Sequence, residues 1–158
     1  MTEEERIVHE KWMSAALEEA RKAFAKGEVP VGAVVVSDNS IIGRGHNLVE
    51  TLQDPAAHAE MLAVGSAAAA TAGWRLEDAV LYATLEPCMM CAGAVLLARI
   101  PLIVYGAADP RYGACGSRLD LVDHNGLDVH AQAISGVLEA ECSSLLKDFF
   151  KKLRQRHR

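Results

Sequence analysis

At 158 residues and 51% hydrophobic content, the chain is long enough to bury one proper α/β core, and its formal charge of −5 is not that of a protein that grips nucleic acid over its whole surface. No apolar run can span a membrane, since the best candidate, Ala92 to Ala108, is broken by Arg99 and Pro101, and the acidic start Thr2-Glu3-Glu4-Glu5 is unlike a basic secretory leader. Four cysteines, two of them in one motif, suit a reducing cytoplasm.

Trp12, Ala16, Leu17, Ala20 and Phe24 recur at helical spacing and Gly27 closes the stretch, which predicts a first helix from about Glu4 to Lys26. The apolar run Val31 to Val36 stops at the turn signal Asp38-Asn39, and Ile41 to Val49 returns, which predicts a hairpin. A second helix is expected from about Ala57 to Gly73, with the run Ala67 to Ala70 read as plain helix propensity. Val80 to Thr84 is a third strand, the next helix carries Cys88 and Cys91 to about Arg99, and Leu102 to Tyr105 is a fourth strand. Strand, helix and strand in that order form a βαβ unit, so the third and fourth strands should be parallel. A looser stretch, Gly106 to Gly126, precedes a weak fifth strand near Val129 to Ile134 and a last helix from about Gly136 to Arg154. Neither a repeat nor a linker interrupts this series, so residues 1–158 are expected to form a single domain.

The chemistry is concentrated in His58-Ala59-Glu60 and Pro87-Cys88-Met89-Met90-Cys91. An imidazole and two thiolates are zinc ligands, and three protein ligands leave the fourth position of zinc open for water, as in a hydrolytic site. Cys88 and Cys91 are at i and i+3, on one face of a helix, and Pro87 suits a first turn, so the thiolates would lie at the positive end of the helix dipole. His58 and Glu60, at i and i+2, can reach one site only where a helix begins, and Asp54-Pro55 offers such a start. Two helix N-termini would then converge on one metal. A redox pair, half of a zinc ribbon, or a closed structural site completed by Cys115 or Cys142 are the alternatives. Against the closed site, Cys115 and Cys142 are single and far apart, whereas structural cysteines usually come in similar pairs.

The paired motifs resemble the signature of zinc nucleobase deaminases, and the chain as a whole resembles the bacterial tRNA-specific adenosine deaminases, which convert adenosine to inosine at the anticodon wobble position. The resemblance runs from about Trp12 to about Arg154 through Glu28 to Val36, Gly43 to Asn47, Thr84 to Ala94, Gly106 to Arg111, Gly113 to Ser117, and Asp148-Phe149-Phe150. It implies a cytidine-deaminase-like fold: three layers, α/β/α, around a central mixed five-stranded sheet. It further implies one zinc ion per subunit on His58, Cys88 and Cys91, with Glu60 as proton shuttle. Asn47 matches the residue whose amide reads the target base, Val31 one that lines the base pocket, Asp109 and Arg111 the loop near the anticodon ribose and phosphates, and Phe150 part of an aromatic pair near the bound loop. Many relatives have a charged or bulky residue at Ala108 and a lysine at Arg111; here Tyr112 adds an aromatic to the same loop. A homodimer, in which each subunit helps shape the other's site, belongs to the same expectation.

The charge fits this resemblance only when divided along the chain. Residues 147 to 158 carry +5 and the remainder −10. Such an end is equally a solvated helix terminus whose cations suit the dipole; in a chain that resembles RNA deaminases it becomes a candidate phosphate-contacting segment. A small-molecule base deaminase of guanine or cytosine type, and a non-catalytic zinc-containing RNA-binding module, are the alternative functions. Glu60 argues against the last, because a scaffold has no use for a non-ligand carboxylate beside the metal.

Overall fold

In a computed structural model that describes residues 1–157, the chain forms ten elements: α1 (Glu3–Ala25), β1 (Gly32–Ser37), β2 (Ser40–His46), α2 (Val49–Leu52), α3 (Ala59–Thr71), β3 (Val80–Leu85), α4 (Met89–Leu97), β4 (Leu102–Ala107), β5 (Gln132–Ile134) and α5 (Glu139–Arg156). The strands make one mixed sheet in the order β2-β1-β3-β4-β5. β1 is antiparallel to β2 and β3, whereas β4 is parallel to β3 and β5. The β3-α4-β4 unit therefore has the parallel pairing expected of it. None of the described helices is long and apolar enough to cross a membrane.

Alternation along the strands divides the core into two halves. Val34, Val36, Tyr82 and Val104 face α1 and α5, packing with Trp12, Met13, Leu17 and Cys142. Ala33, Val35, Leu81, Ala83, Ile103 and Tyr105 face the opposite side, where Ala59, Ala63 and Ala67 of α3 and Ala92 and Val95 of α4 cover them. This is the α/β/α sandwich, and the period-2 pattern of the central strands is its cause.

The hairpin closes through Asp38 and Asn39, both at positive φ (49° and 54°), between the paired Ser37 and Ser40. Two adjacent left-handed residues match the right-handed twist of the flanking strands, and Asp and Asn tolerate that conformation. At its far end β2 stops at His46, three residues before the expected limit at Val49. Asn47 N still bonds to Val31 O, but the Asn47 Oδ1 accepts from Val49 N at 3.2 Å and turns the chain into α2. β5 begins only at Gln132, because Ala131 N is committed to Val122 O.

Of the run Ala67 to Ala70 only Ala67 is buried, and it belongs to a separate pattern along α3. Ala59, Ala63 and Ala67, four residues apart, are completely buried in a stripe lying directly on β2. A Cβ at Gly45 would come 2.3 Å from Ala59 O, and one at Gly43 2.3 Å from Ala63 O. Glycine on the strand and alanine on the helix permit the close approach, and the first contact is beside His58. Gly45→Ala should cost about 1–3 kcal/mol by overpacking. Thermal unfolding would register this as a fall of roughly 2–4 °C per kcal/mol for a chain of this size; an unchanged midpoint would show that the helix can slide away freely.

Candidate metal and catalytic site

His58 is the N-cap of α3 and Cys88 the N-cap of α4, both with extended backbone, and neither side chain makes a capping hydrogen bond. The two positions that usually satisfy helix N–H groups instead turn their donors toward each other. Cys91 lies one turn into α4 and Glu60 in the first turn of α3. Convergence of two helix starts thus follows the sequence pattern, with two local differences. Pro87 precedes the cap and is not in the first turn of α4. Asp54, whose carboxylate accepts from Ala56 N at 2.9 Å, shapes the turn after α2 and does not start α3.

His58 Nδ1 is 3.6 Å from Cys88 Sγ and 3.5 Å from Cys91 Sγ. The three donor atoms lie within 4.8 Å of one another, the one such group of metal-ligating side chains among the described residues. Cys115 and Cys142 are buried elsewhere, Cys142 on the opposite side of the sheet, so neither completes a closed site. With protein groups alone, the hydrogen bond from the Cys91 thiol, opposed by burial and aided by His58, pulls Cys88 down to about 3. The Cys88 thiolate in turn pushes Cys91 up and raises His58. One thiolate is thus held in place by a thiol and an imidazole that keep their protons, protons that a bound cation would displace.

Glu60 is 4% exposed, and its Oε1 is the one buried side-chain oxygen or nitrogen without a hydrogen-bond partner among the described residues. Burial pushes its carboxyl up, while its own backbone N–H and His58 oppose the shift. An unsatisfied buried carboxylate is costly unless it has a further partner or task.

The ligand group opens into a cavity of about 500 Å³ whose lining includes Val29, Val31, Asn47, Glu60, Leu85, Met89, Asp109 and Tyr112. The size and largely apolar walls suit a small planar ligand. Val31, Asn47 and Asp109 therefore meet at one cavity. The Asn47 amide also donates to Val29 O at 3.2 Å, so it holds the cavity wall as well as facing the space. Arg111 is outside the lining, with its guanidinium 5.3 Å from the centre of the Tyr112 ring. Phe150 is on α5, half-exposed against Phe149 and away from the cavity.

Comparison with known proteins places this geometry in a family. A family model described as MafB19-like deaminase matches residues 7–154. The tRNA-specific adenosine deaminase of Bacillus subtilis is 50% identical over 147 residues, 93% of this chain and 91% of its own. The chain belongs to the tRNA-specific adenosine deaminase family. A solved structure from a study of A-to-I editing by tRNA:A34 deaminases at the wobble position of transfer RNA has a TM-score of 0.82 at 41% identity, covering 85% of this chain and 98% of that one. Guanine deaminase from Bacillus subtilis shares the fold at a TM-score of 0.60 and 36% identity, covering 68% of this chain and 66% of its own. One deaminase scaffold therefore accommodates both a tRNA and a free base.

Two buried carboxylates around the site carry no signal of their role in the sequence. Glu86 is part of the cysteine motif, and Glu28 precedes the first strand. Glu28 accepts from Glu50 N at 3.1 Å and Thr51 N at 2.6 Å, pinning α2 and thereby the approach to His58. A glutamate two dozen residues from its backbone partners has no local spacing to betray it. Burial pushes the Glu28 carboxyl up, but the Thr51 and Glu50 donors outweigh it and hold the carboxyl below its ordinary 4.5. A lowered folded-state value means that this stability is present above about pH 4.5 and is lost as pH falls through the folded value. Glu28→Gln should cost about 1–3 kcal/mol at neutral pH and flatten the acid limb of stability measured by denaturant unfolding at successive pH values. A limb as steep as the parent's would exclude Glu28 as its source.

Proposed function

We propose that the chain is a zinc-dependent hydrolase that deaminates adenosine to inosine at the wobble position of a tRNA anticodon loop, with His58, Cys88 and Cys91 as ligands and Glu60 as the proton carrier. The observation that carries this is the ligand geometry beside the orphaned Glu60 oxygen. Tetrahedral zinc with sulfur at about 2.3 Å and nitrogen at about 2.0–2.1 Å separates N from S by about 3.6 Å, and the two separations here are 3.6 and 3.5 Å. Two sulfurs and an imidazole are a soft donor set suited to that ion.

Zinc bound there supplies the Lewis acidity that makes water nucleophilic near neutral pH. Glu60 receives the proton of the attacking water, and water oxygen adds at C6 of the purine. Glu60 passes that proton to the ring nitrogen, takes the second from the new C6 hydroxyl and delivers it to the amine, so that the C6–N bond breaks, ammonia leaves and a carbonyl remains. Its burial among apolar groups suits a carboxyl that must hold a proton as readily as release one. Val31 and Asn47 position the base. Asp109 contacts the ribose side of the nucleotide, while Arg111 and Phe150 contact the flanking RNA.

An unpaired loop base is the cheapest to extrude into such a cavity. Lys147, Lys151, Lys152, Arg154 and Arg156 of α5 are all exposed, and Arg158 lies outside the described residues. The helix therefore gives an otherwise acidic chain a cationic edge for phosphates. The whole chain acts as a single domain, works as a homodimer, and resides in the cytoplasm, where its four free thiols stay reduced.

The protein should convert an anticodon stem-loop bearing adenosine at the wobble position while leaving free adenosine, cytosine and guanine unchanged, as followed by inosine formation and ammonia release. Turnover of a free base with the stem-loop untouched would overturn the substrate assignment and leave the metal assignment standing. Glu60→Ala should lower turnover about 10²–10⁴-fold or more with one zinc per subunit retained by elemental analysis; normal turnover in that variant would remove Glu60 from the mechanism.

A further inference from the structure

Glu86 is 2% exposed and stands at the end of β3, two residues before Cys88. No lysine or arginine pairs with it among the described residues. Its carboxylate is satisfied entirely by one segment of the chain, residues 109–117. Asp109 N donates to Oε1 at 3.1 Å, Cys115 N and Ser117 N donate to Oε2 at 3.0 and 3.1 Å, and the Ser117 hydroxyl donates to Oε1. Gly113 lies flat against the same group: a Cβ there would be 2.4 Å from both Cδ and Oε2. Backbone bonds from Glu86 N to Ala107 O and from Ala114 N to Pro87 O fasten the two segments on either side.

The far edge of this wrapped segment faces the substrate cavity. The Asp109 carboxylate accepts from Arg111 N and Tyr112 N, and Asp109 and Tyr112 both border the cavity, whereas Glu86 does not. Turn bonds such as Gly113 N to Asp109 O and Gly116 N to Leu119 O shape the segment itself, while the Glu86 carboxylate and the Ala114 N–Pro87 O bond tie it to the start of α4.

We infer that Glu86 is a positioning residue whose buried carboxylate fixes residues 109–117 against the cysteine-bearing start of α4, so that Asp109 and Tyr112 present a preformed wall to the nucleotide. This rests on the deaminase reading above. Its consequence is a division of labour: Glu86 governs substrate binding through the loop, and the metal and Glu60 govern the chemical step.

Glu86→Gln keeps the shape and removes an acceptor. Whichever way the amide turns, its N–H faces at least one backbone N–H, which breaks the wrap. In the zinc-loaded protein this variant should raise KM for the stem-loop about ten-fold with kcat per bound zinc within about three-fold of the parent and zinc content unchanged. Trypsin should cut faster after Arg111 and Arg118, both exposed on the loop. Unchanged KM and unchanged cleavage would overturn the inference. So would a fall of kcat and zinc content together at constant KM, which is the signature of a role confined to stability. Gly113→Ala, which leaves the carboxylate intact and crowds it from the loop side, should move KM and cleavage in the same direction and decides the matter should Glu86→Gln not fold. If the parent protein fails to convert the stem-loop, the functional reading falls, while the trypsin comparison still confirms or refutes the anchoring.

Discussion

Two helices must begin at the same point in space for the ligand group to exist, and the rest of the molecule is arranged around that constraint. His58 and Cys88 are both N-caps, so a small error in the placement of either helix would separate the donors by more than a metal can bridge. α4 is fixed by its βαβ unit, in which parallel β3 and β4 leave one path for the crossover. α3 crosses between β2 and β3, which run parallel on either side of β1, a wider crossover than that of α4. It is fixed by contact, its Ala59-Ala63-Ala67 stripe lying on Gly43 and Gly45 of β2 with no side chain between backbone and backbone. Edge strand and central strand thus deliver one ligand helix each.

The buried glutamates show how one residue type takes different tasks from its surroundings. Glu28 and Glu86 are surrounded by N–H groups and act as braces, one for α2 and one for the 109–117 segment. Glu60 lies beside the ligand group, and one of its oxygens has no partner. A carboxylate satisfied by fixed donors is stabilised in its charged form and holds structure; one left unsatisfied in an apolar wall is free to exchange a proton. The distinction is one of hydrogen-bond satisfaction, since all three are almost fully buried.

Similarity to both a tRNA deaminase and a guanine deaminase is consistent with this division. In the proposed mechanism, the ligand group and the buried carboxylate act on the ring amine itself and not on the rest of the substrate. Around that centre, the 109–117 segment is held by the Glu86 carboxylate and α2 by the Glu28 carboxylate, in addition to backbone bonds.

The sequence by itself determined the candidate ligand group, the carboxylate beside it and the order of the elements, because each depends on short-range spacing: Cys-x-x-Cys on one helix face, His-x-Glu at a helix start, alternation in strands. It also contained the hairpin turn in Asp38-Asn39 and the parallel pairing of β3 with β4. Tertiary structure alone decided the rest. Ala59, Ala63 and Ala67 became a packing stripe only once β2 presented glycines to them, whereas Ala69 and Ala70 of the alanine run stay exposed. The end of β2, the late start of β5 and the short α2 were set by single side-chain and backbone bonds that outcompeted the strand ladder. Glu28 and Glu86 acquired their roles from N–H groups more than twenty residues away. Period and spacing are written along the chain, whereas closeness and hydrogen-bond satisfaction exist only after segments distant in sequence have packed together.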